Sequence, residues 1–202
     1  MTLASSQSPS AERPLLTAEA WAAAASVTGV IVAIAALVDE SRRSRFSRAI
    51  DILSRLDDRF ESPEFRAIRR SAAQYLLDPA DAGETGEESV RAILNFFETL
   101  AYLFKHHAVG ANMVWHYYGS WLLPYYVASK DVIAKYQHDD PNCYRETAAL
   151  YDAVFQVEEN QRNYSDATQV ISSSGVTSML RMEADLSVQL PMFKANRFHS
   201  PD

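Results

Sequence analysis

A chain of 202 residues with 48% hydrophobic and 22% charged residues is long enough for one domain with its own core. Its net charge of −7 argues against nonspecific nucleic-acid binding, and its single cysteine, Cys143, excludes an intrachain disulfide and any zinc site built on paired cysteines. There are six glycines, with no glycine-rich phosphate loop, nucleophile elbow or His-Glu-x-x-His among the residues, so no catalytic motif is found.

In chain order, residues 1–16 read as a disordered N-terminus. The run Trp21–Val38 then carries no charge and is followed at once by Asp39, Glu40, Arg42, Arg43, Arg45 and Arg48. As a helix it spans roughly 27 Å, close to the hydrocarbon thickness of a bilayer. A cleaved signal peptide calls for a basic leading flank, yet only Arg13 stands there, against Glu12 and Glu19. A buried core helix suits the small residues Ala22–Ala25, but such a helix normally shows a polar stripe, and here there are only Ser26 and Thr28. The favoured expectation is a single transmembrane helix over 17–38, with Thr17 as N-cap, Trp21 at the headgroups and Val38 at the far end. Arg42, Arg43, Arg45 and Arg48 form its positive-inside flank, which places the N-terminus outside an inner membrane and the rest of the chain in the cytoplasm. Ala25, Gly29 and Ala33 form a ridge of small residues that suits helix association in lipid, although an alanine-rich helix also produces this spacing by chance.

From residue 39 to about 160 the apolar residues keep helical spacing, and no run of alternating strands appears. Phe46, Ile50, Leu53, Leu56 and Phe60 continue the first helix. Ser62-Pro63-Glu64 supplies a cap, a proline at the first helical position and an acid in the first turn, and Phe65, Ile68, Ala72, Tyr75 and Leu76 give the second helix an inner face. Pro79, Gly83, Gly86 and the acids between Asp78 and Glu88 read as a mobile loop. Val90, Ile93, Leu94, Phe97, Leu100, Ala101 and Phe104 mark the central helix, with Gly110 as its stop. Met113–Val127 is crowded with rings, and Pro124 is expected to kink or divide it. Tyr144–Glu159 is a further helix, with Asn142 a candidate cap and Tyr144, Ala148, Tyr151, Val154 and Phe155 inward. Residues 161–202 read as a polar tail with a weak helix near Val176–Leu190, either a docking arm or partly disordered.

Four groups of residues invite a functional reading. Glu98, His106 and His116, with His107 beside them, are weak metal candidates, but the Glu-x-x-His repeats of a di-iron bundle are missing and histidines at a helix C-terminus answer the macrodipole. Glu98 is better placed to pair with Arg66 or Arg69 as a core ion pair. Trp115, Tyr118, Trp121 and Tyr125 are a candidate partner surface, weighed against a core role. The Arg42–Arg48 cluster could touch anionic headgroups.

The motifs Asp57-Asp58-Arg59-Phe60, Ser62-Pro63-Glu64-Phe65-Arg66, Leu94-Asn95-Phe96-Phe97-Glu98 and Tyr118-Gly119-Ser120-Trp121, following an apolar N-terminal run, resemble a bacterial family known only as a domain of unknown function. The similarity covers roughly Trp21–Glu159 and departs at His106-His107 and in the tail. It implies one N-terminal membrane helix plus a small all-helical domain, and it implies no activity. The expected fold is therefore all-α, a single transmembrane helix continuing into a cytoplasmic helical bundle. The expected function is that of a membrane-anchored, non-catalytic interaction protein, an accessory or scaffolding subunit without cofactor or nucleic acid, whose partners are the bilayer, other membrane proteins and a second copy. A ligand- or metal-responsive sensor, an enzyme, and a defence or stress effector at the membrane are the alternatives.

Overall fold

The computed structural model describes residues 18–161 and 164–185, without the side chains of 18–35, 42, 81–83 and 162–166. Among them the chain forms helices and no strand: α1 (Ala18–Phe60), α2 (Pro63–Leu77), α3 (Pro79–Lys105), α4 (Ala111–Ala128), α5 (Lys130–Asp139), α6 (Arg145–Gln161), α7 (Tyr164–Val170) and α8 (Ser173–Ala184). The chain divides into two compact units, Met1–Ser47 and Arg48–Asp202.

In the first unit, Leu37, Val38 and Phe46 are exposed on α1, and Arg43 pairs with Asp39 one turn earlier at 2.9 Å. Among the described residues no helix is long and apolar enough to cross a membrane. Of the expected span 17–38, Thr17 lies outside the described residues, and from Ala18 onward the backbone is helical while the side chains of residues 18–35, among them Trp21, Ala25, Gly29 and Ala33, are not described.

In the second unit, α2 packs along α3, α8 covers α2, and α6 lies against α3 and α4. The end of α1 delivers Leu53 and Phe60 to the core, both fully buried. The Phe60 ring lies 5.0–5.5 Å from those of Phe65, Phe96, Tyr118 and Trp121, so one side chain joins α1, α2, α3 and α4. The start of α2 is as expected, with Ser62 Oγ accepting from the Phe65 amide at 3.2 Å and Pro63 in the first turn.

Five expectations need correction. The acidic loop at 78–88 is helix: Asp78 caps α3 by accepting from the Ala80 amide at 3.2 Å, Pro79 opens it, and Val90–Phe104 forms its second half. Gly110 does not stop α3. Left-handed His107 (φ 56°) does, with its amide and that of Ala108 bonded to the Phe104 and Leu103 carbonyls, while Gly110 precedes α4. Pro124 sits within α4, which runs unbroken to Ala128, and α5, unforeseen, follows at Lys130. On α6 the buried row is Thr147, Leu150, Val154 and Glu158, whereas Tyr151 and Phe155 lie half-buried at its edge, their rings stacked at 6.1 Å. Compactness does not end at residue 161. Ser172-Ser173-Ser174-Gly175 is a helix start, with Ser172 Oγ accepting from the Gly175 amide at 3.1 Å, and α8 buries Val176, Met179, Leu180 and Glu183.

Candidate functional site

The chief concentration of buried charge lies where α2, α4 and α8 meet. Arg69 falls on the inner row of α2, four residues after Phe65 and three before Ala72, and is 2% exposed. Its guanidinium stacks over the Phe60 ring at 4.2 Å and faces Trp121 at 5.7 Å. Glu183, in register with Met179 and Leu180 on α8, approaches Arg69 Nε at 3.3 Å, and Glu61 approaches its Nη1 at 3.5 Å. Neither contact is an aligned hydrogen bond, so Arg69 is held by charge and by ring faces. Trp121 donates to Glu183 Oε1 at 3.0 Å. The Tyr125 hydroxyl donates to the Arg69 carbonyl at 3.1 Å, with Glu183 Oε2 at 3.4 Å. Arg66, bonded to Glu61 at 2.7 Å, brings the four charges to balance. Burial pushes the Glu183 carboxyl above its ordinary range, against the pull of Arg69, Trp121 and Tyr125, while Glu61 adds to the rise. Burial raises the Tyr125 phenol well above its usual value too, with Glu183 adding and Arg69 opposing.

Other carboxylates repeat this arrangement. Glu158, buried on α6, accepts from the Trp115 indole of α4. Gly119 leaves room for that indole, since a Cβ there would stand 3.0 Å from Trp115 Cδ1. Glu98 on α3 accepts from the Thr147 amide at 3.0 Å and from its hydroxyl, fixing the first turn of α6. Glu87 joins α3 to α5 and α2 through Lys135 (2.7 Å), Tyr136 (2.9 Å) and Tyr75 (3.4 Å), and the Lys135 hydrogen bond, followed by that from Tyr136, holds its carboxyl below the ordinary range. Burial, with Asp140 and Glu98 nearby, raises the Cys143 thiol, which opposes formation of a nucleophilic thiolate. An open groove of ≈ 620 Å³ runs between α4, α6, α7 and α8, bordered by Trp115, His116, Glu158, Met179 and Met182.

The expected site residues separate. Tyr118 and Tyr125 are fully buried, which makes them core rather than partner surface, and Trp115 and Trp121 are half-buried, each donating to a carboxylate of another helix. Among the described residues no three His, Cys, Asp or Glu side chains come together to hold a metal. Glu98 bonds Thr147, His106 caps α3 and lies against Tyr102 at 4.3 Å, and His116 is exposed. Glu98 does not pair with Arg66 or Arg69, because both arginines turn to Glu61 and Arg69 also to Glu183. Sequence reasoning offered Arg69 as a core ion-pair partner, but of Glu98 rather than of Glu183, and missed Glu158 and Glu183 as buried charges. The signal was a charge in helical register with an apolar row, which at Arg69 and Glu183 is plain once their helices are in register.

Comparison with curated proteins and with solved structures finds no match. The model of the family described as "Domain of unknown function (DUF4760)" matches residues 23–154, and with most of its length so matched the chain belongs to that family.

Proposed function

We propose that this protein is a membrane-anchored, non-catalytic interaction protein, an accessory or scaffolding subunit held at the cytoplasmic face of the inner membrane. The observation that carries the reading is the uncharged run Trp21–Val38 followed by Arg42, Arg43, Arg45 and Arg48. The carboxylates of the second unit support it, because Glu87, Glu98, Glu158 and Glu183 each tie one helix to another, an arrangement suited to a stiff body that presents its outer surface. Tethering raises the effective concentration of such a body at the membrane, so that weak contacts suffice.

The test is to tag the C-terminus, extract native membranes in mild detergent and determine the mass and composition of the particle. Other proteins at fixed stoichiometry are the expected result, and the partner would then name the process. Recovery in the soluble fraction overturns the anchor. A particle of this chain alone overturns the accessory role, and dissociation of its copies by Gly29→Ile would assign the association to the Ala25, Gly29 and Ala33 ridge.

A further inference from the structure

We infer that the face of α2 and α4 around Arg69, Trp121 and Tyr125 is a docking groove for an acidic amphipathic helix of a partner protein, occupied in this structure by the chain's own α8; the inference rests on the interaction role proposed above. The four buried side chains of α8, Val176, Met179, Leu180 and Glu183, stand at i, i+3, i+4 and i+7, the spacing by which a helix anchors itself in a groove. The face beneath is built of tryptophan, tyrosine and arginine, the residue types that dominate interface energetics. Arg69 faces Glu183 at 3.3 Å and Trp121 donates to it at 3.0 Å, so the groove recognises a carboxylate one turn beyond an apolar pair. Such a buried ion pair returns little net stability, because desolvating both charges costs about what their attraction supplies, yet it disfavours a helix that lacks the acid.

Two properties make α8 a replaceable occupant. Residues 23–154, which the family model matches, supply the face, whereas α8 lies beyond them. The first half of α8, Ser173–Ser178, holds only serine, glycine, valine and threonine, each a weaker helix former than alanine or leucine, in a helix of 12 residues that has little stability away from the groove. A partner helix with the same anchors and a better helix-forming sequence gains there, and that gain works against the effective concentration that tethering gives α8. A second copy of the chain is the competing occupant, through exchange of α8 between protomers. It brings the same poor helix and so gains nothing over the tethered one.

The test adds a fluorescent peptide of residues 172–185 to the full chain in mild detergent and follows its anisotropy. The peptide should bind the Leu180→Asp chain, whose own buried anchor is lost, roughly tenfold more tightly than wild type, where tethered α8 competes. A peptide carrying Glu183→Gln should bind that variant roughly tenfold more weakly; equal affinity overturns recognition of the acid. No binding to a variant that still melts cooperatively overturns the groove. If the variant does not fold, hydrogen exchange of the wild-type chain decides: amides of Val176–Glu183 that exchange roughly a hundredfold faster than those of Leu94–Leu100 sustain a detachable α8, and equal rates refute it. A two-copy wild-type particle that Leu180→Asp reduces to one copy overturns the partner in favour of exchange. Composition of the native particle separates the groove from its premise: other subunits present without peptide binding leave the accessory role and remove the groove, and peptide binding by a chain found alone does the reverse.

Discussion

Arg69 lies with 2% of the residue meeting solvent, between two carboxylates and two rings. Arg69→Met should cost about 3 kcal/mol, since it leaves Glu183 buried without its cation. Adding Glu183→Gln should recover much of that loss, and a double-mutant cycle by denaturant unfolding at neutral pH reads the coupling. Glu183 also makes stability depend on pH with a definite sign. Its folded carboxyl titrates above its unfolded one, so the folded state holds the proton more tightly; the stability this contributes is full below the unfolded value and is lost as pH rises through the folded value. Glu87 and Glu146, held low chiefly by their bonds to Lys135 and Lys105, act in the opposite sense, losing their contribution as pH falls. The difference between wild type and Glu183→Gln isolates the Glu183 part: wild type should gain relative to the variant as pH falls from neutral toward the ordinary carboxyl range. A flat difference would show that burial does not shift this carboxyl. The inner position of Arg69 was legible in the sequence from Phe65 and Ala72, but its partner stands on a helix that only folding brings near.

At the level of elements, ends and turns decide more than helix interiors. His107 ends α3 in the left-handed region, where a Cβ costs about 1 kcal/mol. Exposed and replaceable, it should stabilise the domain by up to about 1 kcal/mol as His107→Gly, checked by thermal unfolding. Tyr144 shares that backbone conformation at φ 58°, yet its ring is buried and its hydroxyl donates to Asn95 Oδ1 at 3.3 Å, so packing holds it there. Gly175 is tighter still. A Cβ would stand 2.2 Å from the Gln169 carbonyl, so Gly175→Ala must displace the α7–α8 turn and should lower the unfolding midpoint, whereas the neighbouring exposed Ser174→Ala should leave it nearly unchanged. The missed start of α3 was legible in the same terms as α2, since Asp78-Pro79 repeats the cap-then-proline order of Ser62-Pro63. Gly83, Gly86 and the clustered acids obscured it, because local propensity disfavours glycine in helices and says nothing of the Lys135 and Tyr136 that Glu87 reaches.

On the scale of the whole molecule, α8 belongs to the core of the second unit. It packs on α2 and α4, buries Met179 and Leu180, and supplies the carboxylate that faces Arg69. Ending the chain after Ser172 should therefore lower the thermal midpoint of the second unit markedly, by exposing the α2 face and stripping Arg69 of Glu183; an unchanged melt followed by circular dichroism would return α8 to the status of an appended arm.

The sequence alone determined the all-helical class, the cap at Ser62, the central helix through Leu94 and Phe97, and the uncharged run with its arginine flank. All of these rest on interactions within a turn or two of helix, or on composition, which neighbours in the chain carry. Tertiary structure alone decided that Tyr118 and Tyr125 are core while Trp115 and Trp121 edge it, that Glu98 serves Thr147, and that Arg69 meets Glu183. Burial of a charge is tolerated only where distant helices bring a counter-charge and donors to it, and no local pattern encodes that meeting.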